Sequence, residues 1–209
     1  MEMLDRAFAA RVLARAAGFN PNTLRTLTAD FHSVQKLKEF IKTHDTTQGY
    51  YIAEGSFRQN PDTIADLVDK LKPDVVYIDA SYLVSPRAST KAKWERLSEV
   101  GEDIKKIAME YDIPIFQTVQ FNRESEKKKS YSLDNIGGGD FVGQLGSIVL
   151  GIQKGEGIHE DDRRKVTIMK NRDGDQGEFE VNFSFNPPNF DEVPQSNYED
   201  QLLDSNLKI

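Results

Sequence analysis

The run Val75-Val76-Tyr77-Ile78 is apolar without interruption and stops at a single acid, Asp79. A strand that is apolar on both sides of its pleat belongs where both sheet faces are covered, as in a parallel sheet flanked by helices. The neighbouring sequence supplies such helices. Asn60-Pro61 opens a segment over 62–71 with Ile64, Leu67 and Val68 at helical spacing. From Trp94, the residues Leu97, Val100, Ile104, Ile107, Ala108 and Tyr111 mark the clearest amphipathic helix of the chain, and 113–119 read as the next strand. Helices alternating with strands through residue 120 predict an α/β fold with a mostly parallel sheet.

The remaining segments fit around that frame. Residues 4–17 carry Leu4, Phe8 and Val12 as a helical stripe ended by Gly18 and Pro21, and 28–43 carry Phe31, Val34, Leu37, Phe40 and Ile41 on one helix face. Short strands are expected at 50–53, 145–152 and 166–170. Phe179, Val181, Phe183 and Phe185 alternate with polar residues, the signature of a last strand with one wet face. The segment 172–177 joins the final two strands as a hairpin. From 186 the chain turns Pro-, Asn- and acid-rich, so the expected organisation is one folded domain over 1–185 and a flexible acidic tail over 186–209.

Composition narrows the function. The chain has 209 residues, 38% of them hydrophobic, enough for one sizeable core. No apolar run approaches the roughly 20 residues of a membrane span and no leader opens the chain, so the expectation is a protein of the cytoplasm. Without cysteine there are no disulfides or thiolate metal sites, and His32, His44 and His159 lack ligand spacing. A net charge of −7 argues against wholesale coating of nucleic acid but leaves room for a local basic loop.

Several residues could carry chemistry. Asp79 lies at the carboxyl end of a buried strand, where open parallel sheets place ligands, and can hold the water shell of magnesium on nucleotide phosphates. An acid that only caps the next turn fits equally and is commoner in isolation. Gln120 would lie beside Asp79 if the strands pair, as a donor to a terminal phosphate or as a plain strand-end amide. Arg123, Lys127, Lys128 and Lys129, followed by Asn135 and Gly137-Gly138-Gly139, form a polar, glycine-hinged loop able to grip phosphates, although a lysine run is more often a solvated surface. Lys170 and Arg172 alternate at a strand end and could reach a phosphate, including one on a neighbouring subunit; two exposed hairpin cations are the plain alternative. Gly138 with Gly143, and Gly146 with Gly151, have the first spacing of a phosphate-binding loop. Gln144 and Ile152 stand where its lysine is required, so neither is one.

In this order the segments resemble the second half of the DnaB-type replicative helicase core, a RecA-like P-loop fold, over residues 1–185. Met1-Glu2-Met3 resembles the family's Ser-Leu-Glu-Met, which implies Glu2 as the group activating the attacking water. The strand ending at Asp79 resembles Walker B, with Asp79 at the magnesium position. Gln120-Phe121-Asn122-Arg123 is similar to Gln-Leu-Asn-Arg, with Gln120 as phosphate sensor. The lysine–glycine loop falls where the family binds single-stranded DNA. Lys170-Asn171-Arg172-Asp173-Gly174 resembles Lys-Gln-Arg-Asn-Gly, which implies Lys170 and Arg172 acting in trans.

The chain departs from the family in having no Walker A lysine and threonine. It also has Leu133-Asp134-Asn135-Ile136-Gly137-Gly138 in place of Asp-Leu-Arg-Glu-Ser-Gly, a divergence closer in style to a bacteriophage protein. The resemblance thus implies a RecA-like core missing its P-loop strand and inactive alone. It would use ATP and Mg2+ once joined by a P-loop-bearing complementary chain, in a hexameric ring on single-stranded DNA. The rival expectations are a recombinase-type ATPase fragment and a non-catalytic DNA-binding or assembly module.

Overall fold

The computed structural model describes residues 5–26, 28–43, 49, 51–53, 59–87, 93–121, 133, 136, 140–155, 157–159 and 161–194. Two compact units emerge, one from residues 1–9 and 44–149 and the other from 10–43 and 150–209, and each is described by itself.

In the first unit, helix α4 (Pro61–Leu71) begins with a reciprocal cap. The Asn60 side chain accepts from the Thr63 N–H and the Thr63 hydroxyl accepts from the Asn60 N–H, both at 2.9 Å, while Pro61 fills a first-turn position that needs no donor. The helix stops at Lys72, whose left-handed backbone (φ 45°) returns its N–H to the Val68 carbonyl. Helix α5 (Lys93–Glu110) closes similarly, with Asp112 at φ 51° and the Ile113 N–H on the Ala108 carbonyl.

Strands β1 (Val76–Ile78) and β2 (Ile115–Gln117) pair in parallel, Val76 opposite Ile115 and Ile78 opposite Gln117. Val76, Ile78, Ile113 and Ile115 pack on Ile64, Val68 and Ile107, so α4 and α5 cover one face of the pair. The other face presents Tyr77 and Phe116, stacked with centroids 5.0 Å apart and 71% and 55% exposed. Both strands are shorter than the sequence suggested. Pro114 has no N–H to extend the ladder of β2, and the chain leaves β1 in a turn at Asp79.

A fully buried residue, Ile104 of α5, offers a direct test of the packing around this helix. Ile104→Ala is expected to cost about 2–5 kcal/mol through reduced transfer energy and a residual cavity. Urea unfolding would show it as a lower midpoint at constant slope.

In the second unit, helix α1 (Asp5–Ala17), which starts in the first, ends at Gly18 (φ +70°), where the Phe19 N–H turns back to the Ala14 carbonyl and Phe19 is buried. Helix α2 (Pro21–Arg25) follows, and Asp30 caps α3 (Phe31–Thr43) by accepting from the Ser33 N–H, which holds its carboxyl below the usual range. The predicted apolar face of α3 is only half covered, Phe31 and Ile41 being exposed.

In chain order, α6 (Asp140–Leu145) precedes the second sheet, so the strand expected at 145–152 is displaced to β3 (Ile148–Lys154). Strands β3, β4 (Arg163–Asn171) and β5 (Gly177–Asn182) form one sheet in that order, β4 and β5 as the anticipated antiparallel hairpin. Residues 51–53 have no regular structure.

Regular structure extends beyond 185, into the segment the sequence assigned to a tail. Strands β6 (Ser184–Phe185) and β7 (Pro188–Asn189) pair, the Asn182 N–H donates to the Asp191 carbonyl, and the Val193 N–H donates to the Glu180 carbonyl, each of the latter at 2.8 Å. The buried Val193 and the need to satisfy backbone groups along β5 hold this segment in place. Residues 195–209 lie outside the described residues.

Candidate functional site: the exits of two parallel strands

Asp79 and Gln120 both stand just past the carboxyl ends of neighbouring parallel strands. The register that sets Ile78 opposite Gln117 sets Asp79 opposite Thr118, and the Thr118 hydroxyl donates to Asp79 Oδ1 at 2.6 Å. The backbone holds this meeting in place. The Thr118 N–H donates to the Ile78 carbonyl at 3.0 Å, and the Ser81 N–H donates to the Thr118 carbonyl at 3.1 Å. Ser81 is buried in the short 3₁₀ turn Ser81–Leu83 and donates its hydroxyl to Gln117 Oε1 at 2.7 Å. Tyr82 of the same turn accepts from Gln120 Nε2 at 3.2 Å. The exit of β1 and the exit of β2 are therefore joined by three side-chain hydrogen bonds.

The segment leaving this turn is anchored from behind. The Ser85 N–H donates to the Gln59 carbonyl, and Arg87 reaches both Asp62 at the start of α4 (2.6 Å) and the buried Asp103 of α5 (2.7 Å). Arg87 holds the Asp62 carboxyl below the usual carboxylate range, and the two acids in turn favour the charged guanidinium. A buried carboxylate such as Asp103 needs such a partner, because leaving it unpaired is costly.

Lys170 lies inside β4 and Arg172 one residue past its end, beyond the last β4–β5 pair, Ile168 with Gly177. Arg172 is exposed. Earlier cations of β4 are engaged across the hairpin, Arg163 by Glu180 at 3.0 Å and Lys165 by Glu178 at 2.8 Å. The turn between the strands is shaped by Asn171, which donates to the Asp175 carbonyl and lies where a Cβ on Gly174 would stand. Asp79 and Gln120 belong to the first unit, Lys170 and Arg172 to the second. Glu2, Arg123, Lys127, Lys128, Lys129 and Asn135 lie outside the described residues.

Asp79 is exposed, and with Oδ1 engaged by Thr118 its second oxygen can accept from the water shell of a magnesium ion. Among the described residues no three His, Cys, Asp or Glu side chains gather to ligate a metal directly. Gly137, Gly138 and Gly139 lie outside the described residues, and the described glycines that follow serve packing. A Cβ on Gly143 would stand 2.8 Å from Ile136 Cδ1 and 3.0 Å from Leu133 Cδ2, so this glycine exists for close packing, and Gly151 is buried within β3.

Sequence reasoning missed Thr118, Ser81, Tyr82 and Arg87. The first was legible only through register: once 76 pairs with 115, the offset of 39 residues makes Thr118 the partner of Asp79.

The chain as a whole is similar to known proteins. The family model described as the DnaB-like helicase C terminal domain matches residues 1–192. The replicative DNA helicase DnaB of one Helicobacter pylori strain is 23% identical over 253 aligned positions, covering 100% of this chain and 50% of that protein. DnaB of a second H. pylori strain is 25% identical over 174 positions, covering 64% of this chain and 34% of that protein. The chain thus spans half or less of the curated relatives it matches. A solved DnaB-like replicative helicase, described with its interactions with primase, superposes with a TM-score of 0.82 at 21% identity over 92% of this chain and 49% of its own. A solved ATPase domain superposes at 0.81 and 20% identity, over 92% of this chain and 72% of that one.

Proposed function

Because the chain belongs to the DnaB-like helicase C terminal domain family, we propose that it forms the catalytic and DNA-contacting portion of a replicative DNA helicase motor. In this reading ATP hydrolysis at subunit interfaces drives movement along single-stranded DNA and strand separation within a hexameric ring in the cytoplasm. No helix among the described residues is long and apolar enough to cross a membrane.

The observation that carries the reading is the placement of Asp79 and Gln120 on adjacent parallel strand exits, cross-linked through Thr118 and Tyr82. Ligands of open α/β sheets bind at such exits. Asp79 orients the water shell of magnesium, which when bound neutralises charge developing on the phosphates. Gln120 can exchange Tyr82 for a terminal phosphate oxygen. Its position shortly before the segment 123–139 lets that exchange reach Arg123, Lys127, Lys128, Lys129 and Asn135, which contact the DNA. Glu2 activates the attacking water, and Lys170 with Arg172 complete the site of an adjacent subunit.

The phosphate cradle comes from a P-loop-bearing segment outside these 209 residues. The exposed Tyr77–Phe116 face supports this, since both faces of a parallel sheet are ordinarily covered. The lack of a cradle among the described residues also favours a second reading, a RecA-like module that binds DNA without turnover.

The test is ATP hydrolysis by these residues joined to a P-loop-bearing segment, with and without single-stranded DNA. Stimulation by DNA supports the motor; salt-sensitive DNA binding with no turnover supports the module. In either case, replacing Lys127, Lys128 and Lys129 together by alanine is expected to weaken DNA binding. The plot of log affinity against log salt should become shallower by about 2, because each phosphate neutralised by a lysine adds roughly 0.7 to the slope on a single strand. An unchanged salt slope would remove this loop from the DNA interface.

A further inference from the structure

The hydrogen bond between Thr118 and Asp79 is short, and both residues are exposed. Burial does not explain it. At a wet site either group could be satisfied by water, so a hydroxyl aimed at the carboxylate adds little to stability and instead selects one orientation of the acid. The donor is also unusually well fixed. Thr118 is β-branched, which stiffens its first side-chain torsion. Its backbone is held on both sides, its N–H by the Ile78 carbonyl and its carbonyl by the Ser81 N–H. The turn that supplies Ser81 is itself tied to β2, because the buried Ser81 hydroxyl donates to Gln117. A rigid donor thus meets Oδ1 of a carboxylate whose other oxygen is left to face a ligand.

We infer that Thr118 is a positioning residue for magnesium: its hydroxyl fixes the Asp79 carboxylate so that the free oxygen meets the water shell of a nucleotide-bound ion. The inference rests on the reading of Asp79 given above and extends it to a residue in the neighbouring strand exit. Partners that orient a metal-facing group commonly change metal affinity or activity by roughly 10- to 100-fold when removed.

The experiment uses the protein joined to its P-loop-bearing segment and a fluorescent, non-hydrolysable ATP analogue, titrated with magnesium and with EDTA. The readout is the ratio of the two affinities, which needs no turnover. Thr118→Val keeps the shape and removes the donor, and should lower that ratio roughly 10-fold. EDTA-state affinity and thermal midpoint should stay unchanged. Thr118→Ser restores the hydroxyl and should return the ratio to within about 2-fold of the parent. A Thr118→Val protein with the parental ratio overturns the inference, as does a Ser variant that behaves like Val, which would assign the effect to the missing methyl. Asp79→Asn separates the two layers. If it leaves the ratio unchanged, the reading of Asp79 itself falls. If it abolishes the magnesium effect while Thr118→Val does not, only the role of Thr118 falls.

Discussion

Asp79→Asn, introduced into the completed motor, is expected to reduce DNA-stimulated ATP hydrolysis by roughly 100- to 1000-fold, the range found when one preorganised electrostatic group is removed from a reacting centre. The substitution is conservative in structure. Asparagine keeps an oxygen at the position of Oδ1, so the Thr118 hydroxyl retains its acceptor, and the backbone ladder of Thr118 with Ile78 and Ser81 involves no side chain of residue 79. What disappears is the negative charge that, in the proposed motor, orders the solvent around magnesium. The thermal midpoint should therefore hold while turnover collapses, and nucleotide affinity should lose most of its dependence on magnesium. Near-parental hydrolysis by this variant would exclude Asp79 from the chemistry and with it the central premise of the motor.

Arg172→Ala is expected to be as damaging in isolation and curable in mixture. A finger that acts on a neighbour's phosphates contributes roughly 10³–10⁵ in rate. Its position at the mouth of the β4–β5 turn, past the last paired residues, leaves the side chain exposed and able to reach outward. Combining Arg172→Ala subunits with Asp79→Asn subunits creates interfaces at which the first supplies an intact acid and the second an intact arginine. With random assembly around a head-to-tail ring, roughly a quarter of interfaces would be of this kind at equal mixing. Recovery of hydrolysis to a comparable fraction, from two nearly inert preparations, would establish action across an interface. No recovery would place the arginine's role within its own subunit or in the fold. Retained activity of the single variant would dismiss it.

Much of this architecture could be read from residue order because local rules and tertiary packing agree. Asn60, Pro61 and Thr63 announce the start of α4, and Ile64 and Val68 face the same core that takes Val76 and Ile78. The strand exits were legible for the same reason: an apolar run that ends in a lone acid has few places to sit in an α/β fold. Strand length was overestimated because apolar character continues past the last ladder bond at both 75 and 113. The segment 145–152 misled through its own composition, since Gly143 and Leu145 serve helix packing although their neighbours look like a strand. Residues 186–194 look like a tail by composition, and only the backbone bonds to Glu180 and Asn182 reveal them as part of the sheet layer. The Asp79–Thr118 link lay beyond sequence reasoning altogether, because it depends on which rung of one strand faces which rung of the other.

The cluster beneath β1 and β2 is drawn from one uninterrupted stretch, from Ile64 on α4 to Ile115 on β2. Its two strands nevertheless pair in parallel from distant parts of that stretch, Val76 with Ile115, and such non-local pairing forms slowly because the intervening chain must be ordered first. Helices α4 and α5, built from local contacts, are therefore expected to form before β1 and β2 pair, which pulsed hydrogen exchange during refolding would show as earlier protection of the helical amides. The separation of Asp79 from Gln120 is then set only when the parallel rungs close, a late event in the making of this unit.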